Sequence, residues 1–159
     1  MKNKIQSRPD LAEIIKDHKS TGKKIVFTNG CFDLLHVGHI RYQQECKNAG
    51  DILVIGINTD QSIRNLKGNS RPLVQLDDRA EVLAALECVD YVVPFAESTP
   101  KELIIALKPN VLIKGGDYAV DDIVGKNEVL SWNGQVYTIP LVEGKSTSNL
   151  IKTIISKCT

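Results

Sequence analysis

The sequence predicts a doubly wound α/β domain with a mostly parallel, five-stranded sheet. Three observations predict it. Five short apolar runs alternate with segments of helical periodicity along the chain. One run, Ile52-Leu-Val-Ile-Gly-Ile57, is nearly continuous, as expected of a parallel strand covered on both faces. Polar, glycine-bearing segments follow the first, fourth and fifth runs, where the strands of such a sheet present their carboxyl ends to ligands.

Taken in order, a helix is expected from about Arg8 to Ser20, with Pro9 in its first turn and Leu11, Ile14, Ile15 and His18 on one stripe. His18 reads as a packing residue. Residues 1–22 form a helical extension, and 1–159 one domain. Ile25-Val26-Phe27 is the first strand, broken by Asn29-Gly30. A helix then runs from Val37 to about Asn48 and stops at Gly50; Gln43, with Gln44, is unusually polar for a helix that must cover a sheet. After the strand at Ile52–Ile57, strand, helix and strand predict a right-handed crossover.

A short helix from about Asp60 leads into the basic loop Leu66-Lys-Gly-Asn-Ser-Arg-Pro72, which reads either as a solvated turn or as a phosphate-reaching loop through Lys67 and Arg71. The helix from Leu76 to about Cys88 has Leu76, Ala80, Leu83 and Leu86 on its apolar side. Arg79 lies at the edge of that stripe, where it wants an anion, a structural carboxylate or a substrate phosphate. Tyr91–Val93 is the third strand, and Ser98-Thr99-Pro100 starts a further helix with a capping residue before a proline. Val111–Ile113 and Gln135–Pro140 are the fourth and fifth strands. The last helix begins at Ser146-Thr147-Ser148 and buries Leu150, Ile151, Ile154 and Ile155.

The chemistry concentrates after the first strand. His36 and His39, three apart at a helix start, share one face. Unpaired backbone N–H groups there favour an anion, and Gly38 leaves no side chain to block a ligand's approach. The physical reading is a phosphate site with two imidazole donors. A metal cage is a poor alternative, because Asp33 alone would complete it. Gly144-Lys145-Ser146 imitates the end of a Walker A loop, but Ile139 occupies the position of its earlier glycine. No GxGxxG follows the first strand.

Composition narrows the partners. The 159 residues are 42% apolar and 25% charged, with a formal net charge of +1, which makes no electrostatic case for nucleic acid. No stretch approaches the ~20 apolar residues of a membrane span. Met1-Lys-Asn-Lys-Ile-Gln lacks the apolar core of a signal peptide, so a cytoplasmic location is expected. Cys31, Cys46, Cys88 and Cys158 form no CxxC pair and are expected as reduced thiols, with Cys46 and Cys88 buried and Cys31 beside the site.

The run Gly30-x-Phe-Asp-x-x-His36-x-Gly38-His39 resembles the signature of the HIGH-type nucleotidylyltransferases, in their cytidylyltransferase-like branch. The resemblance extends from about Lys24 to Ile155. It is greatest to the heptose-1-phosphate adenylyltransferases, which make ADP-heptose for lipopolysaccharide, through Thr28–His39, Asn58-Thr-Asp60, Leu66–Pro72, Lys114-Gly-Gly-Asp-Tyr118 and Gly144-Lys-Ser-Thr-Ser-Asn149. It implies a Rossmann-like fold and transfer of adenylyl from ATP to a sugar 1-phosphate, above all D-glycero-D-manno-heptose 1-phosphate, releasing pyrophosphate. Mg2+ would bridge phosphate oxygens with few protein ligands.

In this reading His36 and His39 hydrogen-bond the triphosphate and the pentacoordinate α-phosphoryl group, and Lys67 closes over the phosphates. The nucleotide is held by Thr28, Asn29, Gly30, Cys31, Phe32, Gly38, Lys114, Ser146, Thr147 and Ser148. Arg71 and Arg79 assist on phosphate or substrate, Asp33 contacts the sugar or a metal-bound water, and Gly116 and Asp117 shape the sugar or ribose pocket. The family also implies a homodimer. In many heptose enzymes this domain is fused to a sugar kinase, and here the separate-chain version is expected.

Three rivals remain. Glycerol-3-phosphate cytidylyltransferases share the first block, but they carry an arginine three residues before the glycine of the Ser-Thr segment, where this chain has Leu141. A regulatory ATP-binding module has no need of His36, His39 and Lys67 together. A tRNA-synthetase fragment is opposed by the near-neutral charge, the short length and the missing Lys-Met-Ser-Lys-Ser-like loop.

Overall fold

Five strands form one all-parallel sheet in the order β3-β2-β1-β4-β5, with β1 Ile25–Gly30, β2 Ile52–Asn58, β3 Tyr91–Phe95, β4 Val111–Gly115 and β5 Gln135–Ile139. The structure is a computed structural model describing residues 4–116, 118–140 and 142–158. The helices are α1 Arg8–Ser20, α2 Val37–Asn48, α3 Asp60–Lys67, α4 Leu76–Ala84, α5 Lys101–Leu107, α6 Lys126–Ser131 and α7 Thr147–Cys158. None is long and apolar enough to cross a membrane.

Strand alternation sorts the apolar side chains into two cores, because successive residues point to opposite faces. Val26, Leu53, Ile55, Ile57, Val92, Val111 and Ile113 face one way, against Tyr42 and Cys46 of α2 and Ala80 and Leu83 of α4. Ile25, Phe27, Val54, Val93 and Leu112 face the other, against Leu11 and Ile15 of α1, Leu103, Ile104 and Leu107 of α5, and Val129 of α6. Both faces are therefore covered, as the continuous run at β2 requires. The chain runs from β1 outward to β2 and β3, then crosses to β4 and β5. The sheet's switch point thus lies between β1 and β4, where ligands of such folds bind.

Helix α1 has the expected bounds, with Ser7 capping the N–H of Asp10. His18 is a packing residue, its Nε2 lying 2.9 Å from the Tyr91 hydroxyl. Several boundaries differ from expectation. Asn29 and Gly30 continue β1, because their backbone still pairs with Gly56 and Ile57 of β2. Helix α4 ends at Ala84, leaving Leu86 and Cys88 beyond its end but still packed on the first core. Pro100 itself occupies the N-cap position of α5, without a side-chain cap. A 3-10 turn at Val120–Asp122 and helix α6 fill a stretch to which periodicity assigned no element.

The largest correction concerns α7. It has no buried residue, and Leu150, Ile154 and Ile155 are 36%, 47% and 57% exposed. The apolar stripe is present, but the sheet is already covered on both faces, and the start of α7 is held at the β1–α2 turn by Thr147 on the Leu34 carbonyl. Cys46 is buried as expected, whereas Cys88 is half-buried.

Candidate active site

A cavity of about 690 Å³ opens at the carboxyl ends of the strands. It brings together Asn29, Gly30, Cys31, Phe32, Asp33, His36, Gly38, His39, Lys67, Arg71, Lys114, Ser146, Thr147 and Ser148. Thr28, Gly116 and Arg79 are not on its wall. Asp117 and Leu141 lie outside the described residues.

The turn between β1 and α2 carries the histidines. Phe32 sits at φ +46°, a left-handed conformation that reverses the chain, and a Cβ on Gly30 would come 3.0 Å from the Phe32 ring. His36 occupies the N-cap position of α2 in extended conformation and makes no side-chain cap bond, so its ring is free for other work. The rings of His36 and His39 stack with centroids 4.0 Å apart, and Phe32 meets His39 edge-on at 5.6 Å. The space above Gly38 belongs to the protein. A Cβ there would lie 3.0 Å from the His36 ring and 3.2 Å from Lys145 Cβ, so the glycine lets the histidine and the segment before α7 close together.

Both imidazoles are held neutral. Burial lowers the pKa of His36, with the charge of Lys145 adding to it. Burial likewise brings His39 down to about 4, with His36 and Lys67 contributing. A neutral imidazole donates one hydrogen bond and accepts one. Lys67, the last residue of α3, and Lys145, just before α7, are exposed cations whose charges act on this pair. Lys145 was missed at the sequence level because only the hydroxyls of the Gly144–Asn149 stretch, and not its lysine, were assigned to the site. Ser146 caps α7 by accepting from the N–H of Asn149 at 3.1 Å, and Thr147 Oγ1 donates to the Leu34 carbonyl at 3.2 Å.

Beneath the histidines lies a buried scaffold. The Thr28 hydroxyl is 2.6 Å from that of Tyr42, which donates to the Ile113 carbonyl at 3.3 Å, so β1, α2 and β4 are tied behind the cavity. Arg79, expected at the edge of its stripe, is only 2% exposed. Its guanidinium donates to the carbonyls of Val74 (2.9 Å), Cys31 (2.6 Å) and Asn58 (3.0 Å) and to Asp60 Oδ1 (2.6 Å). Of the two anions considered for it, Arg79 takes the structural carboxylate.

Asp33 is also committed. It pairs with Arg71 and accepts from the backbone N–H groups of Leu73 and Val74, each at 2.9 Å. Burial works to raise its pKa, but the Val74 and Leu73 N–H groups and the Arg71 guanidinium outweigh it and hold the carboxyl below its usual range. The pair fastens the loop after α3 to the β1–α2 turn. Lys114 reaches across the switch point, its Nζ 3.2 Å from Asn29 Oδ1 and 5.9 Å from the Tyr118 ring centre, and burial lowers its pKa. Among the described residues no three His, Cys, Asp or Glu side chains cluster as a metal site.

The paired histidines at the start of the helix after β1 thus open onto the switch point of the sheet, where ligands of such folds bind. The chain belongs to the cytidylyltransferase-like family, which matches residues 27–154. It is 51% identical over 157 residues to the bifunctional protein HldE of Trichlorobacter lovleyi, covering 99% of this chain and 32% of that one. It is 55% identical over 152 residues to the HldE of Geobacter metallireducens, covering 96% and 31%. The chain thus spans about a third of the length of these curated relatives. Among solved structures it resembles a lipopolysaccharide core biosynthesis protein from Thermoplasma volcanium, with TM-score 0.63 and 27% identity over 78% of this chain and all of that one. A pantoate-beta-alanine ligase from Francisella tularensis, 16% identical with TM-score 0.62 over 96% of this chain and 78% of that one, shares the fold.

Proposed function

We propose that this domain transfers the adenylyl group of ATP to a sugar 1-phosphate, D-glycero-D-manno-heptose 1-phosphate above all, giving an ADP-sugar and pyrophosphate. The observation that carries the transfer is the stacked His36–His39 pair at the start of α2, in one cavity with Lys67 and Lys145. The heptose acceptor is supported by the matched motifs, by identities near 50% to HldE proteins and by the resemblance to a protein named for lipopolysaccharide core synthesis.

In the reaction an acceptor phosphate oxygen attacks the α-phosphorus, a new P–O bond forms, and the bond to the β-phosphate oxygen breaks to release pyrophosphate. A phosphate monoester is already nucleophilic, so the protein's task is alignment and stabilisation of the charge that builds at the α-phosphoryl oxygens. His39 and His36 donate hydrogen bonds there, and Lys67 and Lys145 neutralise the departing phosphates. Asn29, Gly30, Cys31 and Phe32 line the nucleotide's side of the cavity, and Ser146, Thr147 and Ser148 offer hydroxyls and helix-start N–H groups to the triphosphate. Arg79, together with Asp33 and Arg71, holds these walls in register.

Family members act on nucleoside triphosphates, for which a divalent cation is the usual companion. Mg2+ would be held largely by the triphosphate itself, because Asp33 on the cavity wall is engaged by Arg71 and offers it no free carboxylate. When bound, the ion withdraws charge from the phosphates. A homodimer and a cytoplasmic location belong to the same reading.

The test is pyrophosphate release with Mg2+, pairing ATP or CTP with either anomer of the heptose phosphate or with glycerol 3-phosphate. Turnover with ATP and a heptose phosphate supports the proposal and fixes the anomer. Turnover with CTP and glycerol 3-phosphate replaces it with a cytidylyltransferase. ATP binding without turnover on any acceptor overturns the heptose assignment.

A further inference from the structure

Gln43 is the residue of α2 that the fold does not explain. It lies one turn after His39, between the core residues Tyr42 and Cys46 among the buried positions of α2, and it is 0% exposed. Neither Oε1 nor Nε2 of its amide has a hydrogen-bond partner among the described residues. Burying an amide unpaired is costly, and an apolar side chain would cover the sheet without that cost. Nδ1 of His36 and Nδ1 of His39 are buried and unpartnered as well, and of the two it is His39 that lies four residues before Gln43 on the same helix. Residues four apart on a helix are neighbours, and helical side chains lean towards the N-terminus, over the preceding turn. A side chain at position 43 is thereby directed back towards the turn that carries His39.

We infer that Gln43 is a positioning residue for His39: in the substrate-loaded site its amide N–H donates to His39 Nδ1, placing the imidazole's one proton on Nε2, the nitrogen turned to the cavity. The chemistry gains from such a partner. A neutral imidazole donates to a phosphoryl oxygen through Nε2 only if the proton is absent from Nδ1, and a donor to Nδ1 fixes that tautomer. No other donor reaches that atom among the described residues. Hydrogen bonds of this kind are commonly open before substrate binds and close in the loaded site. The catalytic consequence rests on the transfer reaction proposed above, but the tautomer does not.

The experiment reads the two separately. Long-range proton–nitrogen NMR on the 15N-labelled chain, with Mg2+ and α,β-methylene-ATP, reports the tautomer of His39, assigned by comparison with His39→Asn. The expected result is Nε2–H in the wild type and a mixture in Gln43→Met, which keeps the side chain's length. Gln43→Met should fold with an unchanged or higher Tm, and its kcat should fall roughly tenfold, the size of one lost hydrogen bond, with the KM for ATP within about twofold. Gln43→Glu, an acceptor in place of a donor, should draw the proton to Nδ1 and add an ionisation to the pH–rate profile. Nδ1–H in the wild-type complex overturns the inference, as does a Gln43→Met chain with wild-type tautomer and kcat. If no acceptor turns over, the tautomer readings still decide it.

Discussion

The cavity has two walls built on different principles. One wall, from Cys31 to His39, is locked from behind: Arg79 bonds Cys31, Asn58, Asp60 and Val74 at once, Asp33 holds the loop from Arg71 to Val74, and Tyr42 ties Thr28 to Ile113. The other wall is set by residues on the outside of the fold. Lys67 ends an eight-residue helix, and Lys145 precedes a helix that buries nothing. The contrast separates geometry from charge. In the proposed reaction the groups that would meet developing charge at a fixed distance sit on the packed wall, where low-energy rotamers are enforced. Groups that need only supply positive charge sit where side chains move freely, and Coulomb attraction tolerates their freedom.

Substitutions on the two walls should therefore fail differently. On the packed wall His39→Ala should lower kcat by about 10²–10³-fold with little change in folding, read by pyrophosphate release. Near-normal turnover would break the division. Arg79→Met leaves the carbonyls of Cys31, Asn58 and Val74 and the half-buried carboxylate of Asp60 without their donor. It should cost about 3 kcal/mol of stability in urea titration, with activity lost in proportion to the unfolded fraction. On the outer wall Lys145→Ala should raise the KM for ATP roughly five- to tenfold, diminishing at higher salt, while stability stays within about 0.5 kcal/mol.

The smallest effect sharpens the packed wall's character. The pKa of His39 is lowered to about 4 from an ordinary value of 6.5, so the unfolded chain binds its proton more readily than the folded one. That contribution is complete above pH 6.5 and is lost as pH falls towards 4; His36, lowered in the same direction, adds to it. Urea midpoints between pH 4.5 and 7 should rise with pH, less steeply in His39→Asn. The kcat/KM profile should show no loss of activity on passing upward through pH 6.5, because the donor works as a neutral imidazole. A loss there would mean that imidazolium is the working form.

Much of this was legible in the chain itself. The periodicity of Leu11, Ile14 and Ile15 and the unbroken run at Ile52–Ile57 report local geometry, and α1 and β2 have nearly the expected limits. The spacing of His36 and His39 placed them together for the same reason. What escaped depended on distant partners. The basic side chain of Arg79 reads equally as a phosphate ligand or as an anchor until Asp60 and the Cys31 and Asn58 carbonyls are seen around it. Lys145 is indistinguishable from any surface lysine before its Cβ is found against Gly38.

The sequence by itself determined the order of the five strands and of all the α-helices but α6, the two-sided burial of the sheet and the turn that bears the histidines, since these follow from side-chain periods of 2 and 3.6 and from local backbone sterics. Only the tertiary structure decided which charges are spent on one another, that Gly38 is needed for the approach of Lys145, that Gln43 is sealed in unpaired, and that the apolar stripe of α7 faces outward. Those outcomes are set by which residues meet across long stretches of chain, and no local pattern encodes the competition among possible partners.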